Sequence, residues 1–236
     1  LIRAALHEQP MARGTARGPW RWPWRWCWRR NHTVAALLVV AAALLVAASG
    51  RWPFARELLA AERVEDHVPA IAAAAREFGL DPYLVAAVVA AESSGRTRAV
   101  SSVGALGLMQ LRPETAAERA RLLGVKDFEA QDLLDDPALN VRLGCAYLAY
   151  LFDRFGSDPR PVLMAYNAGP NKVAAWFEAA GGFEAWLAAQ DAAARAQPGS
   201  VRHYSKKVLA TAERYRKRGL FAEATVPVSA SPSASH

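Results

Sequence analysis

The sequence predicts an all-α protein. Three observations carry that prediction: apolar residues recur at helical spacing through most of the chain beyond residue 55, strand alternation is almost absent, and five prolines stand where helices would begin. The 236 residues allow one ordinary core plus extensions, and a hydrophobic content of 53% argues against disorder.

Residues 1–33 are rich in Arg and Trp and lead into an uncharged apolar run, Val34 to Ala48. We read residues 34–49 as a membrane anchor or signal segment, with the basic flank on the cytoplasmic side. Six of the eight Trp, at positions 20, 22, 24, 26, 28 and 52, flank the run as amphipathic rings do at a membrane interface. A retained anchor is the favoured reading. Fifteen residues rise only about 22 Å as a helix, short for a bilayer, so cleavage near Ala47-Ala48-Ser49 is the alternative.

Residues 50–60 read as a linker, residues 61–218 as the folded domain and the Pro/Ser-rich residues 219–236 as a disordered tail. Helices are expected near 56–77, 82–93, 106–111, 114–123, 137–155, 159–167, 171–180, 183–194 and 201–217. Pro82, Pro113, Pro137, Pro159 and Pro170 suit first helical positions, because a proline lacks the N–H that a first turn leaves unpaired anyway.

Composition excludes several functions. The net charge is +7, yet residues 1–51 hold eight Arg against one acidic residue, which leaves a domain of balanced charge. A nucleic-acid module needs a basic stripe on its folded part, so no nucleic-acid partner is expected. Cys27 and Cys145 fall on opposite sides of the apolar segment, Cys145 reads as a core residue, and no metal cluster or cofactor motif is visible.

The chemistry concentrates after LDPYLVAAVVAAESSG. Asp81 can cap this helix, and Glu92 ends it four and seven residues beyond Val88 and Val85, on the same face. A carboxyl there is partly desolvated and lies at the negative end of the helix dipole, so its pKa should rise, as a general acid requires. A salt-bridged structural Glu is the alternative. The following stretch to Pro113 is rich in Ser and Gly and reads as a surface loop around a short helix, with Gln110 beside Met109. The stretch Ala165-Tyr166-Asn167-Ala168-Gly169-Pro170 marks a helix break flanked by a Tyr and an Asn.

Two motifs in order, Glu92-Ser93 followed by Ser101, Gly104-Ala105, Gly107-Leu108-Met109-Gln110, Pro113 and Thr115-Ala116, and then AYNAGP, resemble the soluble-lytic-transglycosylase (SLT) family of bacterial cell-wall enzymes. The resemblance covers about residues 65–217. It implies a lysozyme-like helical fold whose groove takes peptidoglycan glycan strands. In it Glu92 falls on the sole catalytic acid/base, Ser101 and Gln110 on groove residues near the cleaved sugar, and Tyr166 on the phenol that hydrogen-bonds the catalytic carboxyl. Met109 and Asn167 match groove-lining positions. Arg202 and Tyr204 match a further substrate-side motif, or pack the last helix, while Ser200 replaces the family's Glu.

The implied reaction cleaves the bond between N-acetylmuramic acid and N-acetylglucosamine without water and leaves 1,6-anhydro ends. A lysozyme-type hydrolase and an inactive glycan-binding module are the alternatives. The implied setting is the bacterial periplasm, with residues 34–49 in the inner membrane.

Overall fold

The computed structural model describes residues 34–42, 53–193 and 201–222. The chain divides into two units, Leu1–Ser49 and Gly50–His236. In the first, residues 34–42 form a helix whose Val34, Leu37, Leu38, Val39 and Val40 are exposed. No helix among the described residues is long and apolar enough to cross a membrane. The rest of the expected 34–49 segment lies outside the described residues, as do residues 1–33.

The second unit is helical: α1 (Pro53–Glu65), α2 (Val68–Glu77), α3 (Pro82–Ser93), α4 (Pro113–Leu122), α5 (Asp132–Asp135), α6 (Pro137–Phe155), α7 (Pro159–Ala168), α8 (Pro170–Ala180), α9 (Phe183–Ala193) and α10 (Val201–Arg218). Each of the five punctuating prolines is the first residue of a helix. Asp81, Asp136 and Asp158 cap the helices that follow them, their carboxylates accepting from the N–H groups of Tyr83, Leu139 and Arg160 at 2.8–3.0 Å.

The structure revises four readings. The helix expected over 56–77 is two helices, because Pro69 has no N–H to continue the ladder and the chain turns at Asp66 and His67. Its first half begins at Pro53, within the stretch read as a linker. The helix expected near 106–111 is absent. There the chain makes isolated antiparallel bridges between Val100 and Leu106 and between Leu106 and Leu111, and Gly107 and Gln110 adopt positive φ values of 76° and 47°, which a right-handed helix does not permit. Residues 219–222, read as tail, form a turn that buries Phe221 against the edge of the Tyr83 ring, 5.1 Å between centroids.

The fourth revision concerns α3. Leu84 through Val89 are all buried, so the helix has no polar side and the face shared by Val85, Val88 and Glu92 does not distinguish itself. A helix apolar all round belongs in the middle of a core. α10 packs along both α3 and α7, and α2 and α4 pack on the long α6. The C-terminal end of α3, with Glu92, is thereby surrounded by packed helices and the loop that follows it.

Candidate active site

Three elements converge on Glu92. The first is its own helix end, where Ser93 is buried, donates from its hydroxyl to the Val89 carbonyl (3.1 Å) and accepts from the Gly95 N–H (3.1 Å). Ser94 closes the helix in the left-handed conformation, φ 55°. The AESSG stretch is therefore a stop that holds Glu92 on the last turn of a rigid core helix.

The second element is the 99–111 loop, held by a residue that the sequence reading missed. Asn140, fully buried on α6, accepts from the Met109 N–H (2.9 Å) and donates to the carbonyls of Leu106 (3.1 Å) and Leu133 (3.0 Å). A Cβ on Gly107 would lie 2.0 Å from the Asn140 amide nitrogen, and one on Gly144 would lie 2.1 Å from the Met109 sulfur. Asn140, Gly144 and Tyr147 are spaced four and three apart, so one face of α6 clamps the loop, admits Met109 and then lines the groove. A polar and a small residue at i and i+4 in an apolar helical run were the available signal.

The third element is α10. The Tyr204 hydroxyl donates to Glu92 Oε1 at 2.5 Å, a hydrogen bond across 112 residues of sequence. Tyr166, expected to fill this role, donates instead to the Met109 carbonyl at 2.8 Å. The reason is placement: α7 ends at Ala168 with the Tyr166 ring tilted against Tyr147, 5.4 Å between centroids, whereas α10 lies along α3 and brings Tyr204 to the carboxyl.

These elements enclose a groove of about 470 Å³ lined by Glu92, Ser101, Val103, Ala105, Gln110, Leu111, Arg112, Thr115, Tyr147, Tyr166, Asn167 and the turn from Ala168 to Pro170. Ser101 accepts from the Ala105 N–H (2.9 Å), which leaves its O–H to donate. Gln110 commits its amide nitrogen to the carbonyls of Ala99 (3.1 Å) and Gly107 (3.0 Å), so its side-chain oxygen is what it can offer a ligand. Asn167 is exposed on the wall. Met109 does not line the groove: its side chain is fully buried against Gly144. Arg202 is half-buried at the start of α10 and is not among the lining residues. Ser200 lies outside the described residues.

Burial pushes the Glu92 carboxyl above its ordinary range, while the Tyr204 hydrogen bond and the charge of Lys207 pull it partly back. Burial, with Glu92 nearby, also raises Tyr166 and Tyr204 well above the usual phenol range, so both remain hydrogen-bond donors. Cys145 is a buried thiol pushed up to about 12 by desolvation, which makes it inert. Among the described residues no three His, Cys, Asp or Glu side chains converge as metal ligands would. What the groove offers is one half-buried carboxyl of raised pKa, beside amide, hydroxyl and aromatic groups.

A family model described as Transglycosylase SLT domain matches residues 69–189, just over half of the chain. The chain is 45% identical over 103 residues to a transglycosylase of Enterobacteria phage PRD1, an alignment covering 44% of this chain and 35% of that protein. It is 36% identical over 90 residues to the soluble lytic murein transglycosylase of Salmonella typhimurium, covering 38% of this chain and 14% of that one. The chain thus spans well under half the length of these relatives. Its backbone is similar to the X-ray structure of an inactive mutant of the lytic transglycosylase Slt from Pseudomonas aeruginosa, with a TM-score of 0.55 and 31% identity over 64% of this chain and 24% of that one. On the span of the family model and the helical fold that carries its motifs, the chain belongs to the transglycosylase SLT domain family.

Proposed function

We propose that this chain is a peptidoglycan lytic transglycosylase in which Glu92 is both acid and base. The observation that carries the reading is that Glu92 is the one carboxylate among the described residues lining the groove, half-buried and held by Tyr204. With Tyr204 donating to Oε1, the acidic proton belongs on Oε2. Protonated Glu92 donates to the oxygen that links N-acetylmuramic acid to N-acetylglucosamine, and the carboxylate so formed takes the proton of the muramic acid 6-hydroxyl. That hydroxyl attacks the anomeric carbon and closes a 1,6-anhydro ring. The substrate's own N-acetyl carbonyl stabilises the electron-poor sugar, a departure from paired-carboxylate schemes.

Ser101, Gln110 and Asn167 bind the glycan from the groove wall, and Tyr166 holds the loop at the Met109 carbonyl. The similar Slt structure is of an inactive mutant in which one Glu is replaced by Gln, which agrees with a single essential carboxyl. A hydrolase of the paired-carboxylate kind needs a second carboxylate to activate water, and among the described residues none lines the groove beside Glu92. The tethered hydroxyl also reacts at an effective concentration on the order of 10⁵ M or more when well oriented.

Mass spectrometry of digested cell walls tests this. Products should carry 1,6-anhydro ends and be about 18 Da lighter than hydrolysed equivalents, the mass of a water not added. Reducing ends in a preparation free of other hydrolases would replace the reading with a muramidase.

We place the domain, residues 61–218, in the bacterial periplasm, where peptidoglycan lies, tethered through residues 34–49. A reporter fused after residue 218 should be active only in the form that needs export; activity of a reporter that folds in the cytoplasm reverses the topology.

A further inference from the structure

Beyond residue 51 the chain holds 21 basic and 21 acidic residues, but the balance is not evenly spread. Residues 52–200 carry 14 Lys and Arg against 19 Asp and Glu, whereas α10 carries seven against the single Glu213. A body with an excess of acid therefore bears one strongly basic helix. Packing decides where on that helix the charge stands. α10 lies along α3 and α7 and buries Ser205, Val208, Thr211, Ala212 and Tyr215. The opposite face is an exposed row that runs from His203 through Lys206, Lys207 and Arg214 to Lys217, at spacings that keep one side of a helix for about 21 Å. Glu213, the one acid in the row, is answered by Arg216 (2.9 Å) and Lys217 (3.7 Å). Arg216 also reaches Asp81 and Arg218 reaches Glu65, while Lys206 and Lys207 make no ion pair among the described residues.

A straight row of cations on a rigid helix matches a flat surface of negative charge. The acidic body matters as much as the row. Near such a surface the body is repelled and α10 attracted, so one orientation is favoured, which a uniformly basic protein would not have. The sequence points to a bilayer independently: the uncharged run Val34 to Ala48, with its basic flank, is followed by only four residues before Pro53 opens α1.

We propose that the exposed face of α10 docks on anionic phospholipid headgroups and so fixes which side of the domain meets the bilayer. No residue of the row lines the groove, so the proposal stands apart from the reaction assigned to Glu92. Each Lys or Arg held near an anionic bilayer contributes about fivefold to binding, and the attraction fades beyond a Debye length of about 8 Å at physiological salt.

The lysines supply the test. The chain has five: Lys206, Lys207 and Lys217 in the row, and Lys126 and Lys172 exposed on the body. The full chain is mixed with lipid nanodiscs of phosphatidylcholine, alone or with phosphatidylglycerol, and the rate of amine acetylation at each lysine is followed by peptide mass spectrometry. Both discs offer the same hydrocarbon, so insertion of residues 34–49 cancels in the comparison. The row lysines should react about tenfold more slowly on the anionic discs, with Lys126 and Lys172 unchanged, and high salt should abolish the difference. In Lys206→Glu combined with Lys217→Glu, the remaining Lys207 should react at the same rate on both discs, while an unaltered Tm shows that the variant folds. Equal rates at the row lysines on both discs in the wild type, or equal slowing of Lys126 and Lys172, overturn the proposal. Protection of Lys207 that survives in the double variant also overturns it, since the Arg-rich residues 1–33 then account for the effect. Protection by a soluble polyanion, polyglycerol phosphate or duplex DNA, with none on anionic discs, replaces the lipid surface with a polymer site.

Discussion

The two ends of α3 each open on a cavity and each present a carboxylate, yet they are chemically unlike. At the N-terminal end the cavity is larger, about 710 Å³, and Asp81 lies in its wall with Asp153 and Arg216. Asp81 is fully engaged: one oxygen accepts from the Tyr83 N–H and the other from Arg216 at 2.5 Å, at the exposed surface. About 16 Å along the helix, Glu92 has no cation in hydrogen-bond contact among the described residues, only the Tyr204 hydroxyl and an apolar helix behind it. An exposed cap beside an arginine holds a helix end, whereas burial beside a phenol raises the pKa of a carboxyl. Cavity size does not choose between them; solvation of the carboxylate does.

The largest expected effect comes from neutralising each end in turn. Glu92→Gln should lower turnover by about 10²- to 10⁴-fold while retaining glycan binding, because the amide keeps the shape and loses the transferable proton. Asp81→Asn should leave turnover within about twofold and cost at most about 1 kcal/mol of stability through the lost surface ion pair, since Asn caps a helix about as well as Asp. Comparable losses of turnover in the two purified variants would erase the distinction. The substitutions should also differ in pH dependence of stability. Burial raises the folded-state pKa of Glu92, so its contribution is complete below the unfolded value and lost as pH rises through the folded one. Glu92→Gln should accordingly gain Tm relative to wild type at alkaline pH and show no such gain in acid.

Next in size is the clamp that builds the catalytic end. Asn140→Leu preserves bulk but strands the Met109 N–H and the Leu133 carbonyl, while the Leu106 carbonyl keeps only the Leu111 N–H. Unpartnered buried groups cost about 1–3 kcal/mol each, so a loss of about 3 kcal/mol or more should appear in the urea midpoint, together with lost turnover. A stable, active Asn140→Leu would show that the loop is positioned by other contacts.

The smallest effects tune Glu92. Tyr204→Phe removes a hydrogen bond that favours the carboxylate, so the Glu92 pKa should rise further and the alkaline limb of kcat/KM should move to higher pH. A loss of about tenfold at the optimum is expected, the scale of a hydrogen bond to a charged group. Lys207→Met should move the same limb in the same direction by less, because the lysine acts through its charge alone. A downward movement in either pH–rate profile contradicts the geometry at this end.

Much of this was legible in one dimension. The helical class, the five proline starts and the Asp81 cap follow from local backbone chemistry, which acts over three or four residues and needs no partner elsewhere. The elevated carboxyl of Glu92 was readable too, since an apolar run ending on a Glu implies desolvation, although the helix proved apolar on every side rather than striped. Local pattern failed where distant chain intervened. The stretch 106–111 has residues compatible with a helix, but Asn140 on α6 bonds its backbone from more than thirty residues away and sets a bridged loop instead.

The sequence by itself determined most of the helices, the carboxyl and the motifs that resemble a family, because these depend on residue identity at short spacing. Tertiary structure alone decided which phenol serves which acceptor: Tyr204 on Glu92 and Tyr166 on the Met109 carbonyl, with Met109 itself turned into the core. The physical reason is reach. A hydroxyl donates to whatever acceptor stands within about 3 Å, and packing across 57 and 112 residues of separation, not neighbouring sequence, brings that acceptor there.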